Sequence, residues 1–205
     1  MHALLLDGAF VCRQLRAELG EFPSSSQVLE YCEGLSRHRV LVGTDLLRIY
    51  FYDAPPATEK LIRPLDGREI NFSKSIPSRQ NQTLQRELEQ SPNVALRLGE
   101  LQKRGWKVGP RATRSLRRQA RALCGEDFVP DFSQKGVDLR IGLDIARLSL
   151  GRLVRKIVLV TGDSDFIPAM KFARREGIQV YLDTMNQAPR HELMAHSDYW
   201  FGCKD

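Results

Sequence analysis

Histidine and cysteine are scarce in this 205-residue chain, with four of each. Cys12, Cys32, Cys124 and Cys203 are scattered, with no C-x-x-C pair. That spacing argues against a zinc site or a disulfide framework and for free thiols in a reducing cytoplasm. His191 and His196 stand five apart with no cysteine near them, a poor match to zinc-ligand spacing. No apolar run approaches the roughly 20 residues of a membrane-spanning helix. The opening Met1-His-Ala-Leu-Leu-Leu-Asp7 meets an acid too early for a secretory signal. There is no internal repeat, no low-complexity tract, no G-x-G-x-x-G phosphate loop and no G-x-S-x-G nucleophile elbow. What remains is a chain whose 42% hydrophobic and 27% charged residues suit a globular protein. Its length favours one compact domain, residues 1–205, with embellishments.

The most informative stretch is Lys156-Ile-Val-Leu-Val-Thr-Gly-Asp-Ser-Asp-Phe166. Ile157 to Val160 is an uncharged, β-branched run, as expected of a strand buried on both faces in a parallel sheet. Thr161-Gly162 breaks it, and Asp163 and Asp165 fall where a helix begins. Phe166, Met170 and Ala173 recur at helical spacing, with Lys171, Arg174 and Arg175 on another face. Gly177 stops that helix, and Ile178 to Leu182 reads as the next strand. The unit is β-α-β, and ligands in such sheets bind beyond the carboxyl ends of the strands. One aspartate there is explained by helix capping. A second, two residues on, is not, because one cap suffices. Two close carboxylates repel unless a proton or cation intervenes, and oxygen-only donors suit a hard ion such as Mg²⁺.

Other segments repeat the pattern. Ala3 to Leu6 is a short strand ending at Asp7-Gly8, followed by a helix over Phe10 to Leu19 closed by Gly20. A second helix opens near Pro23-Ser-Ser-Ser26, with Ser26 as its cap. Leu47 to Tyr52 reads as a strand ending at Asp53 and stopped by Pro55-Pro56. Residues 54–78 lack periodicity and read as a loop insertion, a functional flap or mobile loop rather than a buried element. Arg79 to Gln90 is helical, Val94 to Leu98 is a strand, and a helix over Leu139 to Leu150 follows Asp138. A short helix over Pro189 to His196 and an edge strand at Asp198 to Phe201 end the chain. Strands alternating with helices predict a three-layer α/β/α fold with a mainly parallel sheet.

The net charge is +6, and its distribution is uneven. Residues 101–125 hold Lys103, Arg104, Lys107, Arg111, Arg114, Arg117, Arg118 and Arg121 and no acid. Arg114, Arg117, Arg118 and Arg121 would form one stripe on a helix docked through Leu116, Ala120 and Leu123. Such runs are often only solvated faces; the lack of an acid inside the segment points instead to a phosphate-binding surface. Trp106 beside Lys107 reads first as a core residue and second as a base-stacking one.

Four blocks occur in order: Leu4-Leu-Leu-Asp-Gly8, Arg48-Ile-Tyr-Phe-Tyr-Asp-Ala-Pro55, Lys135-Gly-Val-Asp-Leu139 with Asp144, and Val158-Leu-Val-Thr-Gly-Asp-Ser-Asp-Phe166. Together they resemble the bacterial NYN-domain family of the PIN-like nuclease superfamily. The resemblance runs from Ala3 to about Phe201 and is most specific at Lys-Gly-Val-Asp and Gly-Asp-Ser-Asp-Phe. It implies a PIN-like fold with acids gathered around Mg²⁺ or Mn²⁺. The implied acidic set is Asp7, Asp138, Asp163 and Asp165, with Asp144 beside them. One departure stands out. Ala9 and Phe10 follow the first Asp-Gly, where family members often carry Asn.

The expected activity is metal-dependent hydrolysis of phosphodiester bonds in RNA, single-stranded by preference, with the basic segment holding the backbone. Two other classes remain open. One is a non-catalytic RNA-binding or regulatory module. The other is a phosphatase or nucleotide hydrolase of small substrates. A cytoplasmic protein with no membrane partner is expected, and homo-oligomerisation is left open.

Overall fold

The uncharged run from Ile157 to Val160 needs cover on both faces, and it has it: all four residues are buried. A computed structural model describes residues 1–202; Cys203, expected as a free thiol, lies outside the described residues. In chain order the elements are β1 (His2–Asp7), α1 (Gly8–Leu19), α2 (Ser25–Arg37), β2 (Leu46–Asp53), β3 (Lys60–Ile62), β4 (Glu69–Asn71), α3 (Ile76–Glu89), β5 (Val94–Leu98), β6 (Glu100–Val108), α4 (Pro110–Arg118), β7 (Phe128–Lys135), α5 (Val137–Leu150), β8 (Lys156–Val160), α6 (Ile167–Arg175), β9 (Gln179–Asp183), α7 (His191–Ala195) and β10 (Tyr199–Trp200).

Six strands form the central sheet in the order β10-β9-β8-β1-β2-β5, and each neighbouring pair is parallel. The chain builds outward from β1 through β2 to β5, then returns to place β8 on the other side of β1. The direction of winding therefore reverses between β1 and β8. Alternate residues of each strand serve opposite layers, as the two-residue period of a strand requires. Leu4, Leu6, Phe51 and Val158 pack with Val11 and Leu15 of α1, Val28 of α2 and Leu84 of α3. Ala3, Leu5, Tyr52 and Leu159 pack with Ile141 and Ile145 of α5, Met170 of α6 and Leu193 of α7. The result is the expected α/β/α sandwich. Gly177, at φ +81°, ends α6 in the left-handed conformation that glycine adopts freely.

Several local expectations need correction. Ser24, not Ser26, caps α2: its Oγ accepts from Gln27 N at 3.3 Å, and Gln27 Oε1 accepts from Ser24 N at 2.8 Å. This reciprocal pair satisfies two orphan donors that Ser26, inside the first turn, does not reach. The segment 54–78 is not bare loop: β3 and β4 pair as a hairpin, and α3 already begins at Ile76, with Pro77 in its first turn and Ser75 as its cap.

The basic segment departs furthest from expectation. Its first part is strand β6, paired antiparallel with β7, where no hairpin was expected. The helix that follows, α4, ends at Arg118, so the stripe stops before Arg121. Leu123 is 38% exposed and Ala120 is exposed, so neither docks a helix; Ala112 is the buried residue of α4. Trp106 is half-buried, its ring 6.3 Å from that of Phe72.

Candidate active site

Strand β1 ends at Asp7 and β8 ends just before Thr161, so the reversal of winding brings these two strand ends side by side. A parallel sheet binds ligands at such a point, beyond the strands' carboxyl ends. Asp7 caps α1: its Oδ1 accepts from Phe10 N at 3.2 Å. Its Oδ2 accepts from the buried Thr161 hydroxyl at 3.2 Å. Thr161 Oγ1 in turn accepts from Asp163 N at 3.1 Å. Asp163 Oδ1 accepts from Asp165 N at 3.0 Å, capping a short 3-10 turn over Ser164–Phe166. The capping role anticipated for this region is therefore real, and it consumes one oxygen of Asp163 while leaving Asp165 free of it. Glycine is required where the helix starts. A Cβ on Gly8 would lie 2.5 Å from Tyr52 O and 2.7 Å from the Phe51 ring.

Asp138 reaches the same edge from the first turn of α5. Burial pushes the Asp7 carboxyl above the usual carboxylate range. The Phe10 amide and Thr161 hydroxyl pull it back, and Asp138 and Asp163 add to the rise. Asp138 is also raised, by desolvation first and then by Asp163 and Asp165. Asp7, Asp138, Asp163 and Asp165 are thus one electrostatic group. Asp144 has other partners. Its Oδ2 accepts from Tyr52 Oη at 2.9 Å and from Arg97 Nε at 3.2 Å. The third strand-end acid, Asp53, is 2% exposed and accepts from Ala54 N, Gln85 Nε2 and Gln134 Nε2, each at 2.8 Å, and Asn81 Nδ2 at 3.2 Å. It ties β2, α3 and β7 together.

The cleft at Asp7 and Asp163 has a volume of about 320 Å³ and is also lined by Arg13, Gly162, Gln187 and Arg190. Sequence reasoning passed over Arg13, Arg190 and Thr161. Arg190 donates to Ser164 Oγ at 3.0 Å, and the Arg13 guanidinium lies 5.5 Å from the centre of the Phe10 ring. The two cations come from separate helical segments and have no shared motif; Thr161 alone was legible, as a hydroxyl ending an apolar strand. Phe10, one of the two residues that follow Asp7-Gly8 in place of the family's frequent Asn, is buried against Gly162.

The basic segment divides in two. Lys103 pairs with Glu59 at 2.8 Å and Lys107 with Asp131 at 2.6 Å. Arg121 grips Asp127 through two bonds of 2.6 Å, which hold that carboxyl well below its usual range. The acids absent from the segment are thus supplied by neighbouring elements. Arg104, Arg111, Arg114, Arg117 and Arg118 are exposed and, among the described residues, carry no carboxylate partner.

A family model described as the NYN domain matches residues 98–200. The chain belongs to the NYN-domain family. The family carries a nuclease-like fold, and the match takes in Asp138, Asp163 and Asp165 as well as the hairpin of β6 and β7. Asp7 lies before the matched residues. The fold is also similar to the crystal structure of a protein of unknown function from Vibrio parahaemolyticus. Identity is 16% and the TM-score 0.51, covering 97% of this chain and 90% of that one. No curated protein sequence matches the chain. Among the described residues, no helix is long and apolar enough to cross a membrane.

Proposed function

We propose that this chain is a single NYN domain that acts in the cytoplasm as a metal-dependent ribonuclease, hydrolysing phosphodiester bonds of single-stranded RNA. The observation that carries the reading is the electrostatic grouping of Asp7, Asp138, Asp163 and Asp165 at the point where the sheet reverses its winding. Mutually repelling carboxylates beside a cleft are maintained for a cation or a proton. Among the described residues, no three acidic, histidine or cysteine side chains close into a preformed cage. The chemistry of the donors, carboxylate oxygens alone, suits a hard ion such as Mg²⁺ or Mn²⁺ that retains water ligands.

Asp7, Asp138, Asp163 and Asp165 would hold the ion between them, directly or through water. When bound, the metal would supply Lewis acidity at the phosphoryl oxygen and lower the pKa of an attacking water. Thr161 fixes the Asp7 carboxylate by donating to its Oδ2. Arg13 and Arg190 flank the cleft and would hold the scissile phosphate. Arg104, Arg111, Arg114, Arg117 and Arg118 would take phosphates along the strand, a sequence-neutral attachment. Asp144 is assigned to fixing Tyr52 and Arg97.

The test compares two substrates. Labelled single-stranded RNA is cut in the presence of Mg²⁺ or Mn²⁺ and untouched in EDTA, and mononucleotides are not hydrolysed. Binding of RNA without cleavage under any metal would assign the chain to the non-catalytic modules. Hydrolysis of mononucleotides but not oligonucleotides would assign it to small-substrate phosphatases.

A further inference from the structure

Helix α5 is apolar on two faces. Val137, Ile141, Ile145 and Leu148 turn into the core. Leu139, Leu143 and Leu150 are instead 66%, 60% and 64% exposed. With Ala146 they fall at i, i+4, i+7 and i+11. At 100° per residue this stripe is about 60° wide and lies nearly opposite the buried face. Single exposed leucines are ordinary, but three on one stripe form a patch of the kind that marks an interaction surface.

The spacing states what shape fits. Intervals of four, three and four residues are those of the seam between two packed helices. A helix that lies in a bilayer surface shows a broader apolar face, commonly with Trp or Phe, and α5 contains neither.

The charges state which helix fits. Arg140 and Arg147 flank the stripe on one side, and both are exposed. Neither has a carboxylate partner among the described residues. Asp144, the acid in the middle of α5, is taken by Tyr52 and Arg97. Beside the stripe's other edge, Gly142 and the buried Ser149 carry no charge. A second copy of the chain does not meet this pattern. An antiparallel two-fold pairing of α5 would set four arginines side by side, and like charges so placed oppose association. A parallel pairing would set them against Gly142 and Ser149, which offer no acid.

We propose that the leucine stripe of α5 docks an amphipathic helix of a partner protein, with apolar residues in its seam and acids beside them. The partner's acids pair with Arg140 and Arg147. The inference does not rest on the ribonuclease reading and needs neither metal nor RNA.

The test measures binding of the whole chain to a synthetic helical peptide by fluorescence anisotropy. The peptide has Leu at heptad positions a and d and Glu at e and g, and its counterpart has Gln in place of Glu. At low salt, wild type is expected to bind the Glu peptide about 2- to 30-fold more tightly than the Gln peptide, the range of two exposed ion pairs. Arg140→Gln with Arg147→Gln removes that preference. Leu143→Gln with Leu150→Gln weakens binding of both peptides by about tenfold or more. Its melting temperature stays close to that of wild type, because both leucines are exposed. No binding of the Glu peptide, equal binding of the two peptides, or binding that survives the leucine substitutions overturns the proposal. Self-association of wild type that the leucine substitutions abolish would assign the stripe to a second copy and overturn it too. Vesicles of phosphatidylglycerol and phosphatidylcholine that bind through the same leucines, with neither peptide bound, would assign it to a membrane surface, with the same consequence.

Discussion

One carboxylate, that of Asp7, caps a helix, accepts from a buried hydroxyl and faces two other acids. These demands conflict, and pH separates them. Its folded pKa is raised, so ionisation costs the folded chain more than the unfolded one. The stability it contributes is complete below the ordinary carboxylate pKa of about 3.9 and is lost as pH rises through the raised value. Asn caps a helix as well as Asp does. In EDTA, the melting temperature of wild type should therefore fall relative to that of Asp7→Asn across this interval, as thermal melts at stepped pH would record. Parallel pH profiles would contradict the rise, whose first cause is the burial of Asp7. At the next residue, Gly8→Ala puts a methyl group into the Tyr52 carbonyl and the Phe51 ring. A loss of about 1–3 kcal/mol is expected from urea denaturation, the usual cost of overfilling a packed site. Asp7 and Asp163 were legible in the sequence because each closes an apolar run, and Asp165 because it stands two residues from Asp163; Asp138, after Lys-Gly-Val, entered only through the family resemblance. Arg13 and Arg190 were not, because an exposed arginine has no periodicity that marks its direction.

At the scale of elements, the helices and strands of the sandwich followed their apolar periods closely. The hairpin of β6 and β7 did not. Its strands are half-exposed, and β7 contains Pro130, so neither alternation nor β propensity marks it strongly. Charge spacing suggested a longer basic helix than α4, and sequence alone could not show that Glu59, Asp127 and Asp131 would fold onto three of the cations. The structure makes the two groups experimentally distinct. Replacing Arg111, Arg114, Arg117 and Arg118 with Gln should flatten the dependence of log K on log salt by about 0.7 for each phosphate no longer held. Replacing Lys103, Lys107 and Arg121 should flatten it far less, because their charges are already compensated. Equal slopes for both variants would show that the α4 face is merely solvated.

Across the whole molecule, the reversal of winding between β1 and β8 unites acids more than 130 residues apart in sequence, Asp7 with Asp138 and Asp163. A metal bound only by the folded chain stabilises it by roughly 2.7 kcal/mol at a hundredfold excess over Kd. Asp163→Asn removes both a repulsion and a ligand. It should melt above wild type in EDTA and gain much less from added Mg²⁺ or Mn²⁺. A mere cap would melt at or slightly below wild type and ignore the metal. The central claim is that these acids hold the metal at which RNA is cut. The most direct measurement is the initial rate of single-stranded RNA cleavage across a Mn²⁺ titration, for wild type and Asp163→Asn side by side. The account predicts a rate that rises with metal and saturates in wild type, and falls by at least a hundredfold in the folded variant. An undiminished, metal-independent rate in Asp163→Asn would contradict it.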